Sequence, residues 1–433
     1  MRSCAEGLPE PELGYGCVSS LACPLGATLL GSEKKSAAVD ACAAIAEVST
    51  VVEEIHKIMI GRTYRAIGLG GALPERGHRA RVSGIYKALR AAVKVAGFVT
   101  GTTLEATSSP DSKPLADTPR GAAFVAGLTC AFGDSLRGVG SALATEMSVR
   151  IAGRAIAADT ASLRRAYPVA RPRIVVFLHG FGGTEFNWGR QFSYADHLRR
   201  DLDISPVQIR YNSGVRVCDS GLDLDRLLDV LVREWPVEVE SIDIVAHSFG
   251  GLVARSACAI AERRGACEGQ SRWLRLLDNV CYLAVPNHGV PTERVAATAI
   301  STLGASRVGA PIARLANRRS AAIKDLRHGS ISEADTAHGD ANRRELLDHQ
   351  HLPLADNVRH HFVCATALPP HFGKLSHAVG DYLVQPTSAL ASRASGAREP
   401  FTPTSVHPLT GKHHNNLLQD DDVFQILRDT LAR

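Results

Sequence analysis

An apolar run in the middle of the chain ends in a tight turn of small residues, and this arrangement strongly limits the possible folds. Residues 242–245 (IDIV) are typical of a buried strand, and residues 252–263 have a helical pattern. The residues between them, 246–251, read AHSFGG. A serine at the apex of a strand–turn–helix unit is typical of a nucleophile elbow, which holds the hydroxyl clear of the backbone. We therefore interpret Ser248 as a nucleophile, with an ordinary strand-to-helix turn as the alternative.

Strand-like runs and helical stretches alternate from residue 170 to residue 433. The first run, IVVFL at residues 174–178, is continuously apolar, as in a central strand of a parallel sheet. Other runs occupy residues 206–209, 241–245, 280–285 and 361–365. This alternation predicts an α/β domain with a mostly parallel central sheet. The arginine-rich helical pattern between about residues 289 and 356 predicts a long helical insertion within it.

The first part of the chain has a different character. Residues 1–35 are rich in Gly, Pro, Ser and Cys, which predicts disorder. Residues 36–166 carry apolar residues at helical spacing, and the longest stripe runs from Phe124 to Ile151. We expect a helical N-terminal region whose stripes pack on one another and on the α/β domain. An amphipathic surface for lipid is the alternative.

Composition excludes several functional classes. The chain has 433 residues, enough for two domains, and a net charge of +5 without a block of like charges, so we expect no nucleic-acid partner. No apolar segment is long enough to span a bilayer, and the first residues lack a secretory-signal pattern. The ten cysteines form no C-x-x-C pair, and we interpret them as reduced, buried thiols. We expect a cytoplasmic location, or a peripheral one at a membrane.

A glycine-rich loop follows the first predicted strand, with the sequence HGFGG at residues 179–183. Folds with a nucleophile elbow place there a backbone N–H group, which in acyl transfer stabilises the negative charge developing on the carbonyl oxygen. We assign the first such donor to Phe181 and the second to Phe249, the residue directly after the serine. A glycine-rich β-turn without a chemical role is the alternative.

The general base is expected near the C-terminus, after the last strand. His413 and His414 stand before the final amphipathic helix. We choose His414 as the base, with His413 as the first alternative and His407 as the second.

The acid is expected between the serine and the base, where it can orient the imidazole and stabilise its charged form. Asp381 follows the last apolar run and has this position. Asp348 and Asp356 precede that run and fit less well. The chain order Ser248, Asp381, His414 is the order of the α/β-hydrolase triad.

Two motifs flank the expected acyl pocket. His288, in VPNHG, precedes any suitable acid, so we interpret it as structural or pocket-lining. Residues 318–329 (RRSAAIKDLRHG) are interpreted as a solvated helix end, with a lid that steers an anionic head group as the alternative.

Together these motifs resemble bacterial lipase/esterase-like α/β hydrolases, with nearer relatives among proteins related to the eukaryotic GPI inositol-deacylase domain. The resemblance covers roughly residues 170–433. It is carried by HGFGG, AHSFGG, PNHG at 286–289, residues 380–389 and the H-x-x-L-L pattern at 414–418. It implies an α/β-hydrolase fold, a Ser248–Asp381–His414 triad, a lid after residue 286, and no metal or organic cofactor.

The predicted function is that of a serine hydrolase that cleaves carboxylic esters through an acyl-enzyme. The substrate is expected to be a small-molecule or lipid ester. Acyl transfer and thioester cleavage by the same triad are alternatives, as is a non-catalytic scaffold that binds lipid or a protein partner.

Overall fold

The structure is a computed structural model, and it describes residues 53, 57, 60, 72–107, 114–138, 144–189, 193–268, 271–290, 321–332, 353–390 and 402–432. The predicted disorder of residues 1–35 and most of the predicted lid insertion lie outside these residues. The α-helices are α1 (Leu73–Thr107), α2 (Pro119–Gly138), α3 (Thr160–Ala166), α4 (Tyr194–Asp201), α5 (Val217–Glu234), α6 (Phe249–Glu268), α7 (Arg272–Arg275), α8 (Ala321–His328), α9 (Lys374–Val379), α10 (Pro386–Ala389) and α11 (Asp421–Leu431). The strands are β1 (Ser148–Ile151), β2 (Arg154–Ile156), β3 (Arg173–Leu178), β4 (Ser205–Arg210), β5 (Ser241–His247), β6 (Leu277–Leu283), β7 (Arg359–Thr366) and β8 (Ser405–Thr410). Short 3-10 helices lie at Leu115–Asp117, Glu185–Trp188, Pro370–Phe372 and His414–Leu418.

The strands of the described residues form one sheet in the order β2-β1-β4-β3-β5-β6-β7-β8. β1 pairs antiparallel with β2 and β4, and every other pair is parallel. The predicted mostly parallel sheet is therefore confirmed.

Both faces of the central strands are buried, which explains their uninterrupted apolar sequences. In β3, Ile174 and Val176 belong to one hydrophobic cluster, and Val175 and Phe177 belong to another. Helices α5 and α6 contribute to the first cluster, and α4 and α11 contribute to the second.

The chain order reverses at β3. The connection from β3 leads to β4 on one side, and the next strand, β5, pairs with β3 on the other side. In open α/β sheets, ligands bind outside the carboxyl ends of the strands at such a reversal. The glycine-rich loop and Ser248 are the segments that directly follow β3 and β5, so both lie at this point.

The segment predicted as the longest helical stripe differs from the prediction at its C-terminal end. Helix α2 ends at Gly138, and Ile151 lies in strand β1. The hairpin of β1 and β2 adds to the sheet before residue 170, because β1 pairs with β4. Its strands are too short, with three or four residues each, to leave a clear alternating pattern.

Among the described residues, no helix combines the length and the apolar character that crossing a bilayer requires.

Candidate active site

Ser248 stands at the apex of a sharp turn between β5 and α6. Its φ angle of 52° lies in the left-handed region, which costs a non-glycine residue conformational energy. The turn is fixed by two backbone hydrogen bonds: the Ser248 N–H donates to the Leu283 carbonyl at 2.8 Å, and the Ser248 carbonyl accepts from the Gly251 N–H at 3.0 Å. Such strain is typical of functional positions.

The small residues of AHSFGG are required by close packing around this turn. A Cβ atom on Gly250 would lie 2.6 Å from the His179 carbonyl oxygen, and one on Gly251 would lie 2.1 Å from the Val285 side chain. Ala246, which replaces the first glycine of the usual motif, is fully buried in β5. The sheet therefore accommodates its extra methyl group.

Asp381 and His414 form a buried hydrogen-bonded pair. The His414 Nδ1 atom lies 2.7 Å from Asp381 Oδ2. The other carboxylate oxygen, Oδ1, accepts the backbone N–H groups of Leu383 at 2.9 Å and Val384 at 2.7 Å. The Asp381 carbonyl also accepts the His414 N–H at 3.1 Å. The carboxylate is thus held in one orientation, with Oδ2 aimed at the imidazole.

The two alternative bases lie in other surroundings. The His413 ring stacks on the exposed Tyr382 ring, with 4.8 Å between the centroids. His407 is in β8, where its Nε2 atom lies 2.8 Å from the Ser405 hydroxyl. Among the hydrogen bonds of the described residues, the histidine ring that bonds to Asp381 is that of His414.

His247, the residue before the serine, supports the backbone of His414. Its Nε2 atom lies 3.2 Å from the His414 carbonyl oxygen, and the two rings are 4.7 Å apart. Burial, with a smaller contribution from the neighbouring His414, holds the pKa of His247 well below its usual value. The ring is therefore neutral near pH 7 and donates its Nε2–H to that carbonyl.

The glycine-rich loop, residues 179–183, passes directly beside the serine. The Gly183 N–H donates to the Gly180 carbonyl at 3.0 Å, which closes a β-turn with Phe181 at its second position. A Cβ atom on Gly180 would lie 3.2 Å from the Ser248 Cβ atom. Glycine is needed here because the loop and the serine turn are in contact.

The first residue of this loop is held by Tyr211. The Tyr211 N–H donates to His179 Nε2 at 3.2 Å, and the Tyr211 hydroxyl donates to the His179 carbonyl at 2.7 Å. Because Nε2 accepts, the ring proton is on Nδ1, which donates to the Gly180 carbonyl at 2.8 Å. Burial lowers the pKa of His179 to about 4, so this ring stays neutral near pH 7.

The two residues predicted as oxyanion donors are neighbours. The rings of Phe181 and Phe249 lie 5.8 Å apart. Phe249 is the first residue of α6, so its N–H belongs to the first helical turn, where amides have no intrahelical acceptor. Both amides are thus in segments that border the serine.

A cavity of about 620 Å³ joins these elements. It is lined by Gly180, Phe181, Gly183, Asn187, His247, Ser248, Val290, Ile323, Leu326, Asp381, Tyr382, Leu383, His413, His414, Asn415, Asn416 and Leu418. The three residues predicted as a triad therefore border one space. Among the described residues, no hydrogen bond links the Ser248 hydroxyl to the His414 ring; in structures without substrate this contact is often loose.

In the described part of the segment interpreted as a solvated helix end, residues 321–329, Ala322, Asp325 and Leu326 are buried. Asp325 is 2% exposed, and its carboxylate accepts the Val217 N–H at 2.9 Å, at the start of α5. Ile323 and Leu326 line the cavity. The interpretation as a solvated end is wrong for these residues because Asp325 attaches α8 to the sheet domain.

His288 fits the structural interpretation. Its backbone N–H donates to the Ser388 hydroxyl at 3.1 Å, and the side chain of Asn287 donates to the Ala389 carbonyl at 2.8 Å. The PNHG motif thus holds α10, which follows the Asp381 loop.

The sequence patterns did not identify the residues that support the glycine-rich loop through hydrogen bonds. Besides Tyr211, these include Ser213, whose hydroxyl accepts the Gly182 N–H at 2.9 Å. Just beyond the loop, Glu185 forms a buried bidentate pair with Arg210, at the end of β4. No motif marks these positions in the sequence.

The order of the sheet, with a serine turn directly after β5, defines an α/β-hydrolase fold. No family model matches the sequence, and no curated protein matches it. Among solved structures, the chain is similar to the lipase BlEst2 of Bacillus licheniformis in its mature form, with 16% identity and a TM-score of 0.38 over 61% of this chain and 93% of that one. It is also similar to lipase B of Aspergillus fumigatus, with 11% identity and a TM-score of 0.36 over 65% of this chain and 59% of that one. A third is the carboxylesterase EstE1 from a metagenomic library, with 14% identity and a TM-score of 0.33 over 60% and 78%.

Proposed function

We propose that the protein is a serine hydrolase that cleaves carboxylic esters. The observation that carries this proposal is the common cavity, in which a strained serine turn faces the same space as a buried Asp–His pair. A relationship to the GPI inositol-deacylase domain proteins and a cytoplasmic or membrane-peripheral location remain predictions from the sequence.

The mechanism follows from the roles of these groups. The Ser248 hydroxyl attacks the ester carbonyl while His414 Nε2 takes its proton. Asp381 holds the imidazole in the tautomer with Nδ1 protonated and stabilises the imidazolium that forms. The N–H groups of Phe181 and Phe249 bind the oxyanion, and a donor of this kind contributes about 3–4 kcal/mol in known enzymes.

The tetrahedral intermediate then collapses. Its C–O bond to the leaving alcohol breaks, and the imidazolium of His414 protonates that alcohol, which leaves an acyl group on Ser248. In the second half-reaction, His414 takes a proton from water, the hydroxide adds to the acyl carbonyl, and Ser248 leaves with the proton returned by His414. The acid product and the free enzyme result.

The cavity walls support an ester with an apolar acyl part. Phe181, Val290, Ile323, Leu326 and Leu418 provide apolar lining. Asn187, His413, Asn415 and Asn416 provide polar lining. A space of about 620 Å³ is in the range of small-molecule sites, which bury most of a ligand of drug size. A small-molecule or lipid ester fits this combination.

The test compares Ser248→Ala with wild type on p-nitrophenyl esters from acetate to decanoate. We expect the variant to lose turnover while it unfolds at the wild-type temperature, because the change removes only the nucleophile. Ser162→Ala, on the remote helix α3, is the matched control and keeps full activity. Undiminished hydrolysis by Ser248→Ala would end the assignment.

The main alternative from another class is a non-catalytic scaffold that binds lipid or a partner. A fluorophosphonate probe separates the two, because it labels only an activated serine. Labelling that disappears in Ser248→Ala supports the enzyme, whereas a wild-type protein that neither reacts with the probe nor hydrolyses esters supports the scaffold. Acyl transfer and thioester cleavage are distinguished by adding an alcohol acceptor or a thioester substrate to the same assay.

A further inference from the structure

Helix α2 of the N-terminal region is in direct contact with a short segment between β4 and α5. We call this segment, residues 211–215, the junction segment. The Asn212 side chain donates to the Gly133 carbonyl of α2 at 2.9 Å, and its Oδ1 atom accepts the Gly214 N–H at 3.0 Å. Asn212 is therefore fixed between the helix and its own loop.

The contact leaves no room for side chains. A Cβ atom on Gly133 would lie 2.1 Å from Asn212 Oδ1 and 2.8 Å from the Gly214 Cα atom. A Cβ atom on Gly214 would lie 1.6 Å from the Thr129 carbonyl oxygen. The backbones of the helix and the junction segment thus touch, so a displacement of one moves the other.

The same junction segment holds the glycine-rich loop on its other side. Three hydrogen bonds connect them: two from Tyr211 to His179, and one from the Gly182 N–H to the Ser213 hydroxyl. Ser213 is only 1% exposed, so water has little access to replace its hydroxyl as the acceptor. The loop is therefore held by hydrogen bonds on both sides of Phe181, at His179 and at Gly182.

These hydrogen bonds restrain the β-turn that carries the Phe181 N–H. The φ angle of Gly182 is 66°, a conformation that suits the third position of the β-turn and that the bond to Ser213 stabilises. Reacting groups lose about 100-fold in rate when they are misplaced by about 1 Å. A small movement of the junction segment is thus sufficient to weaken oxyanion binding.

We propose that α2 positions the glycine-rich loop through the junction segment, with Gly133, Asn212 and Ser213 as positioning residues. This inference rests on the proposed function, in which the Phe181 N–H is an oxyanion donor. It gives the N-terminal region a role in catalysis: the helix is a part of the support of the active site.

The experiment compares two glycine-to-alanine changes on the same helix. Gly133→Ala inserts a methyl group against the junction segment, whereas Gly127 is exposed and has no atom within 4 Å of the added Cβ. Helix propensity favours alanine equally in both. We expect Gly133→Ala to lower kcat about 10- to 100-fold with KM nearly unchanged, and Gly127→Ala to keep the wild-type values. Equal kcat in the two variants would overturn the inference.

Ser213→Ala tests the last link without disturbing the helix. We expect a loss of kcat with KM retained, because the Gly182 amide loses its acceptor. Should Gly133→Ala fail to fold, a wild-type kcat in Ser213→Ala would contradict the proposal on its own.

Hydrogen exchange separates this inference from the proposed function. We expect the amides of residues 179–183 to exchange faster in Gly133→Ala than in Gly127→Ala, whether or not the protein hydrolyses esters. If ester hydrolysis fails in the wild type while this difference is present, the coupling stands and the proposed function falls. Identical exchange in the two variants would refute the coupling itself.

Discussion

Replacing Asp381 by Asn tests the proposed role of the acid with little change of shape. The Oδ1 atom of Asp381 accepts two backbone N–H groups, from Leu383 and Val384, and only an oxygen can do this. The asparagine amide must therefore place its oxygen there and its NH₂ group against His414 Nδ1. Since the NH₂ group donates, Nδ1 becomes the acceptor and the imidazole proton moves to Nε2. Nε2 then has no lone pair with which to take the Ser248 proton.

The size of the loss in kcat follows from the free energy needed to reverse the asparagine amide, so that its oxygen faces His414 Nδ1 and its NH₂ group faces the two backbone N–H groups. Turning the amide over would leave two buried N–H groups without an acceptor, at about 1–3 kcal/mol each, or ~2–6 kcal/mol together. At about 1.4 kcal/mol for each tenfold change in rate, this corresponds to a loss of roughly 30- to 10⁴-fold. The lost stabilisation of the imidazolium adds to it, so we expect kcat to fall by about 10³- to 10⁴-fold.

The assay is kcat for p-nitrophenyl ester hydrolysis, measured together with thermal unfolding. Asp381→Asn is expected to unfold within a few degrees of wild type, because the two backbone hydrogen bonds on Oδ1 persist. Asp356→Asn changes an exposed carboxylate and should retain full activity. If Asp381→Asn stays within tenfold of the wild-type kcat, Asp381 does not orient the base.

Three further predictions concern stability and specificity. Glu185→Gln leaves the buried guanidinium of Arg210 without its charge partner and should lower the free energy of unfolding in urea by about 3–5 kcal/mol. Adding Arg210→Met should recover part of that loss, and losses that add up in the double variant would contradict the pairing. Burial lowers the pKa of His179 to about 4 in the folded protein, against a pKa of about 6.5 in the unfolded chain, so the unfolded chain binds more protons between these values and the folded protein loses stability as pH falls from 6.5 towards 4. We expect about 1 kcal/mol less stability at pH 5.5 than at pH 7 from this residue, and a smaller pH dependence in His179→Gln. Leu326→Ala removes part of the apolar wall and so enlarges the cavity. It should raise kcat/KM about fourfold for an ester whose acyl chain is one methylene longer than the best wild-type substrate, from ~0.8 kcal/mol per buried methylene; an unchanged chain-length profile would place the acyl chain elsewhere.

The sequence predicts the central part of the fold because strands buried on both faces are apolar without interruption. It does not reveal β8, whose residues alternate between partly buried and exposed without forming an apolar run and which contains Pro408. Proline is tolerated there because β8 is at the edge of the sheet. The β1–β2 hairpin escapes prediction for another reason, since three or four residues do not define a period.

The candidate site divides in the same way. Residues in direct reach of the cavity are marked by motifs and chain order, as for Ser248 and His414. Their supports are not, because a buried Tyr211 or Ser213 looks in the sequence like any other tyrosine or serine. The interpretation of the segment around Asp325 failed for this reason: the sequence shows a charged helix, and only the fold shows that the carboxylate binds the start of α5.

The proposed role of Ser248 as the nucleophile is tested most directly by finding the residue to which a reactive phosphonate becomes attached. The wild-type protein is treated with a fluorophosphonate, digested, and sequenced by tandem mass spectrometry. We expect one phosphonylated residue, Ser248, and much slower labelling in His414→Ala. An adduct on another residue, or active hydrolysis of esters with Ser248 unmodified by the probe, would contradict this role.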